Sequence, residues 1–189
     1  MAGLPHYRNS RTAINNNEPL YRAHFEVILT PPPAVASWDL VMENVTKIGG
    51  LETNKMPAVV EDQQYKGNTR SYAGGSIAGE NSVDLTLDFE VNLNENNSAF
   101  VYKALRQWTD IIYDPLTGRQ GLKKDYIGGP MVVSWFNKEG DIFMQWKFPT
   151  VFPTSSAELN IGELDYSENG IFKIEGFTLR ADYWEETIL

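Results

Sequence analysis

Few residues in this chain have the type and spacing to do chemistry. Histidine occurs twice, as His6 and His24, and cysteine not at all. A zinc site gathers His, Cys and carboxylate ligands at short spacings, so two isolated histidines argue against one. The lack of cysteine excludes disulfides, thiol nucleophiles and thiolate-bound metals. A hydrolase nucleophile on a tight turn would show a Gly-x-Ser-x-Gly elbow, and none is present. Carboxylates do pair, at Asp84/Asp88, Glu163/Asp165 and Glu185/Glu186. Two carboxylates several ångströms apart can hydrolyse a glycoside, but on the wet face of a strand they are ordinarily solvated surface. Gly74, Gly75 and Gly79 lack the Gly-Lys-Ser/Thr ending that cradles phosphate. Five Trp and nine Tyr would suffice for a sugar-stacking platform, yet most fall in apolar phase, which fits core packing. Asn44-Val45-Thr46 matches a glycosylation sequon without a secretory signal to give it meaning. The expectation is a protein that is not an enzyme, with no catalytic residue, cofactor or metal.

The frame around these residues reads as β. The chain has 189 residues, 42% of them hydrophobic, and a mean hydropathy of -0.36. That is enough for one globular domain with a core. No apolar run approaches the roughly 18 residues of a membrane span. Residues 21–30 alternate, with Tyr21, Ala23, Phe25, Val27 and Leu29 on one face, and Pro31-Pro32-Pro33 ends the run. A second apolar stretch from Leu40 to Ile48 stops at Gly49-Gly50. Val59 to Tyr72 reads as a polar strand pair with little core of its own. Ser82 to Asn92 is the cleanest strand, setting Val83, Leu85, Leu87, Phe89 and Val91 against Asp84, Thr86, Asp88 and Glu90. Asn97 to Asp114 switches to steps of three and four, which predicts a single helix whose apolar face carries Trp108. Asn97 or Ser98 would cap it and Pro115 would end it. Downstream, Met131–Asn137 and Asp141–Phe148 flank a Lys138-Glu139-Gly140 hairpin tip, and Phe152-Pro153 suggests a corner. Ala157–Tyr166 and Ile171–Trp184 read as a final strand pair, and a bulge, or burial on both faces, would account for the phase slip at Glu175-Gly176. Residues 1–20, polar and containing Asn15-Asn16-Asn17, read as an arm on a body of residues 21–189.

The net charge is -9, and it is uneven. Residues 1–80 hold 7 basic and 8 acidic side chains, residues 81–189 hold 9 and 17. An acidic surface repels phosphate backbones, so tight nucleic-acid binding is not expected.

The later segments, taken in order, resemble the tail tube proteins of contractile-tailed phages and related contractile injection systems. Phe152-Pro153-Thr154, Glu158-Leu159 and Leu164-Asp165-Tyr166 are similar to that family's aromatic-Pro-Thr…Glu-Leu…Leu-Asp-aromatic run. Phe172 to Leu179 resembles its penultimate strand, and Asp182-Tyr183-Trp184-Glu185 its terminal tetrapeptide. Val45 to Leu51 resembles its early glycine-ended element, and the strand at Val83–Val91 followed by the Trp108 helix keeps the family order. The likeness spans about residues 40–185.

This resemblance implies a mainly β sandwich or barrel with one flanking α-helix, assembled as hexameric rings that stack into a hollow tube inside a sheath. Implied partners are the chain itself, the sheath protein, and baseplate and tail-terminator proteins, with DNA or protein cargo passing without tight binding and no membrane anchoring. The implied location is a virion tail or injection particle made in the bacterial cytoplasm. Candidate lumen-facing residues are Glu61, Gln63, Asp88 and Glu90. Candidate ring-to-ring contacts are Tyr7, Arg8, Arg70 and Tyr72. Rival readings are a tube initiator or terminator of the same machine, or a carbohydrate-binding β sandwich.

Overall fold

A computed structural model describes residues 21–35, 41–52, 59–74, 82–92, 100–158 and 170–189. In chain order its elements are β1 (Phe25–Leu29), β2 (Val45–Gly49), β3 (Val59–Tyr65), β4 (Asn68–Gly74), β5 (Val83–Glu90), α1 (Phe100–Ile112), β6 (Tyr113–Asp114), β7 (Arg119–Gln120), α2 (Lys123–Tyr126), β8 (Met131–Phe136), β9 (Ile142–Phe148), β10 (Val151–Pro153), β11 (Lys173–Ala181) and β12 (Glu185–Ile188). One antiparallel sheet has the order β1-β8-β9-β12, a second the order β10-β11-β5-β2, and β3-β4 and β6-β7 are separate two-stranded ribbons. The expected mainly β architecture is therefore the one observed.

Side-chain alternation decides which face each strand buries. Along β5 the pattern holds throughout: Val83, Leu85, Leu87 and Phe89 are buried, while Asp84 and Thr86 are exposed. Beside it in the same sheet, β11 buries Ile174, Phe177 and Leu179. From the other sheet come Val27, Met131, Val133, Met144, Trp146 and Phe148. On α1 the three-four spacing puts Val101, Ala104, Leu105 and Trp108 into the same core cluster. Fully burying each large side chain stabilises the fold by roughly 1.5–3 kcal/mol, so the shared core holds two sheets and a helix as one unit. The cap positions Asn97 and Ser98, and nearly all of the expected strand at Ala157–Tyr166, lie outside the described residues.

Three details differ from the sequence expectation. The Trp108 helix has a companion, the four-residue α2, which no apolar period announces; the Trp108 indole N–H donates to the Tyr126 carbonyl at 2.7 Å and ties the two together. Phe152 and Pro153 lie within edge strand β10 rather than at a corner, where the absent proline N–H costs no ladder bond. The turn between sheets falls earlier, at Pro149-Thr150, between β9 and β10. Finally, Asp182-Tyr183-Trp184 does not extend the last strand. It carries the chain from β11 in one sheet to β12 in the other, with Trp184 packed against the core and Tyr183 exposed. The physical reason is burial: the larger indole takes the inward position and leaves the phenol, with its polar tip, to solvent.

Both crossovers lie on the same side of the sandwich, where β12 and β10 are the edge strands. There Gly128 also bridges to Val151, covering part of the β10 edge. On the opposite side the edge strands are β1 and β2, and among the described residues neither pairs with a second strand.

Candidate functional site

The polar face of the second sheet is built by strand alternation. Asp84, Thr86, Asp88 and Glu90 of β5 stand beside Lys173, Thr178 and Arg180 of β11 and Lys47 of β2. Charges alternate in sign across the strands. Lys47 Nζ lies 3.3 Å from an Asp88 carboxylate oxygen, Arg180 Nη1 lies 3.4 Å from Asp84, and Glu90 is directly opposite Lys173. With Glu175, four carboxylates face three cations on this surface, so its field is only weakly negative. The excess of acid along the sequence is offset here by basic residues from neighbouring strands.

Asp88 does more than line a surface. Its carboxylate accepts the Gly176 N–H at 2.8 Å, at the place where the β5–β11 register slips between Ile174 and Phe177. Of the two explanations for the Glu175-Gly176 phase change, the bulge is the one present, and a side chain of the adjacent strand satisfies its spare donor. Asp88 is accordingly 19% exposed, against 54% for Asp84. Neither carboxylate stands in a catalytic arrangement: each is matched to a cation in the sheet.

The β3–β4 ribbon belongs to neither sheet. It pairs over seven rungs, from Val59↔Gly74 to Tyr65↔Asn68, and turns at Lys66-Gly67. The polar composition of Val59 to Tyr72 made a strand pair without a core the natural expectation, and the pairing agrees. Gln63 is directly opposite Arg70, and Glu61 is the backbone partner of Tyr72. Opposed residues of an antiparallel pair share a face, as do residues two apart on one strand. Gln63, Arg70 and Tyr72 therefore share one ribbon face, although the sequence reading gives Gln63 to a lumen and Arg70 and Tyr72 to ring contacts. A two-residue turn sets that register, and residue spacing along one strand cannot reveal it. Tyr7 and Arg8 lie outside the described residues.

Between β1 and β2 runs a cleft of which residue order carries no local sign. One end, of about 530 Å³, is bordered by Glu26, Leu29, Met42 and Glu43. The other, of about 710 Å³, is bordered by Arg22, Lys47, Ile48, Leu51, Trp135 and Trp146. The two tryptophans are stacked with centroids 6.4 Å apart. Their indole N–H groups donate to the Tyr21 and Glu52 carbonyls at 2.8 and 2.9 Å, pinning the segments that flank the cleft. Each described tryptophan is buried or half-buried, so these rings serve packing rather than an open stacking platform.

The tetrapeptide crossover is held from outside. Lys123 of α2 forms an ion pair with Asp182 and sits 5.3 Å from the centroid of the Phe152 ring, while Tyr126 meets that ring edge-on at 5.8 Å. At the β6–β7 turn, Asp114 accepts from the Thr117 hydroxyl at 2.6 Å and from the Leu116 N–H at 2.9 Å, and these bonds hold its carboxyl below the usual range. Among the described residues no group of three or more His, Cys, Asp or Glu is placed to hold a metal, and no helix is long and apolar enough to cross a membrane.

No protein-family model matches the sequence, and no curated protein matches it either. Solved structures do. A chain from the cryo-EM structure of the anti-feeding prophage tube-terminating cap superposes with a TM-score of 0.50 at 19% identity, covering 92% of this chain and 93% of that one. Chains from the PVC extracellular contractile injection system follow: the extended sheath–tube complex, with a TM-score of 0.46, 20% identity and coverages of 95% and 97%, and the extended sheath/tube terminator, at 0.45, 20%, 90% and 98%. The chain thus shares, over nearly its whole length, the fold of a component of the anti-feeding prophage cap structure.

Proposed function

We propose that the chain is a structural subunit of the inner tube of a contractile injection machine, phage tail or relative, stacking as hexameric rings into a hollow conduit. The observation that carries this reading is the end-to-end fold likeness to a chain in a tube-terminating cap structure, joined to a sandwich with open edge strands and one largely polar sheet face. Open edges invite pairing with further strands, and a polar face suits a water-filled bore. In this reading the body is residues 21–189 and residues 1–20 form an arm that orders on a partner. The surface of β2, β5 and β11, with Asp88 and Glu90, lines the bore. Its near balance of charge gives DNA or protein cargo little to grip. The β3–β4 ribbon, with Glu61, Gln63, Arg70 and Tyr72, makes contacts between subunits. Sheath, baseplate and terminator proteins are the other partners, and the assembled particle is the location.

Negative-stain electron microscopy of the purified full chain tests the proposal. Hollow tubes of many rings are the expected result. Discrete rings that never elongate would favour the second reading, a tube terminator or initiator, for which the cap structure is the specific support. A stable monomer that binds glycans would overturn both. For the bore, a cationic label that reacts with Asp84 or Glu90 on the outside of intact tubes would refute the assignment of that face.

A further inference from the structure

We propose that residues 121–128 form a strap that opens as a unit while both sheets stay folded, and that ionic strength sets how often it opens. The strap lies on the side of the sandwich where the chain passes between sheets. It works within a single chain, whether or not copies assemble.

Its ends are fastened by backbone and its middle by side chains. At one end the Gly121 N–H donates to the Ile112 carbonyl at 2.9 Å. At the other, Gly128 and Val151 exchange two hydrogen bonds of 2.9 Å, and the next amide, Gly129 N–H, donates to the Thr30 carbonyl at 2.7 Å. These bonds tie the strap to the end of α1, to β10 and to the end of β1. Between them lies α2, a single turn with no buried residue and no side-chain cap. Leu122, at its start, is 62% exposed. A turn of that length does not hold itself in water, so its closed position rests on contacts with the sandwich.

Those contacts are few, and most are polar or exposed. The Phe152 ring of β10 takes Lys123 Nζ over its face at 5.3 Å and Tyr126 edge-on at 5.8 Å. Asp182 of the crossover pairs with the same Lys123. The Trp108 indole N–H reaches the Tyr126 carbonyl. The Lys123 and Asp182 side chains are 51% and 45% exposed, so dissolved salt screens their attraction. A pair of that kind favours the closed strap by at most about fivefold. Trp108 is fully buried and stays with the core when the strap lifts. Sparse apolar burial with exposed fastenings marks a segment that opens well below the free energy of global unfolding. Opening bares the Phe152 ring and frees the Trp108 N–H and the Asp182 carboxylate together.

Amide hydrogen exchange by NMR tests this on the full-length chain, kept below its assembly concentration. The Asp125 and Ile127 amides close the turn. They and the Trp108 indole N–H should exchange together, at least about a hundredfold faster than the Leu85 and Leu87 amides of β5. Raising sodium chloride from roughly 20 mM to roughly 500 mM should speed the strap about two- to fivefold without a matching change in β5. Asp182→Asn should give the same gain at low salt and abolish the further effect of salt. Phe152→Leu keeps apolar bulk without the ring and should speed the strap again; circular dichroism and thermal melts check that both variants fold. Trypsin cleavage after Lys124 should rise by the same factors. The proposal is overturned if the strap amides exchange at the β5 rate, or if Asp182→Asn speeds strap and β5 alike, as a general weakening of the fold would. An Asp182→Asn chain with unchanged strap exchange and unchanged salt dependence overturns it equally.

Discussion

Replacing Asp88 with alanine should destabilise the protein far more than replacing Asp84, although the two carboxylates sit on the same face of the same strand. Asp88 accepts the Gly176 N–H at 2.8 Å inside the β5–β11 bulge and pairs with Lys47 at 3.3 Å. A hydrogen bond to a charged group contributes about 1.5–3 kcal/mol, and an ion pair with a largely exposed lysine about 0–1 kcal/mol. Asp88→Ala should therefore cost about 2–3 kcal/mol. Among the described residues Asp84 pairs with Arg180 at 3.4 Å in an exposed pair, so Asp84→Ala should cost about 0.5 kcal/mol or less. In a chain of this size 1 kcal/mol moves the melting temperature by roughly 2–4 °C. The expected drops are about 4–12 °C for Asp88→Ala and about 2 °C or less for Asp84→Ala, read by calorimetry below the assembly concentration. High salt should erase the smaller loss and leave most of the larger one, because exposed pairs are screened and a half-buried hydrogen bond is not. Asp88→Asn, which keeps an acceptor but no charge, should fall between. Equal losses at the two positions would refute the claim that Asp88 supports the bulge.

Further outcomes follow from the packing. Trp108→Ala should lose about 3–5 kcal/mol in urea unfolding, the usual cost of emptying a fully buried aromatic site. Gly50→Ala should lose about 2–4 kcal/mol, since its new methyl would lie 2.1 Å from the Asp84 carbonyl at a φ of +81°; Gly118→Ala, at φ +68° with open space around it, should lose only about 1–2 kcal/mol. Asp114, held below the ordinary 3.8 first by Thr117 and then by Leu116, supports the β6–β7 turn fully above that pH and loses its support as pH falls through its lowered value. In a carboxyl NMR titration Thr117→Val should move Asp114 back toward 3.8, and an unchanged midpoint would contradict the assignment.

What could be read from residue order alone was local. The phase of β5, the Trp108 helix, the Lys138-Glu139-Gly140 hairpin and the slip at Glu175-Gly176 depend on neighbours in the chain, and each appears where spacing puts it. Gly49-Gly50 was legible as a stop but not as a close approach: the Asp84 backbone, over thirty residues away, makes glycine necessary there. The same limit hid the candidate surfaces. Asp88 and Glu90 looked like an acidic stripe because Lys47, Lys173 and Arg180 reach them only through sheet order. The cleft exists only because β1 and β2 end up as facing edges of different sheets. The closing Asp182-Tyr183-Trp184-Glu185 shows both sides. Its resemblance pointed toward the right fold, while its role as the passage between sheets needed three dimensions.

Those crossovers give the sandwich the build of a book. Pro149-Thr150 and Asp182-Tyr183-Trp184 stitch one long side into a spine, braced by Lys123 against Asp182, and the β1–β2 edge is clasped in its turn by the Trp146 indole N–H on the Glu52 carbonyl. Stress across the two covers therefore meets a short chain crossing on one side and a hydrogen-bonded clasp on the other. The two covers are then expected to part together on unfolding rather than to hinge open along one edge.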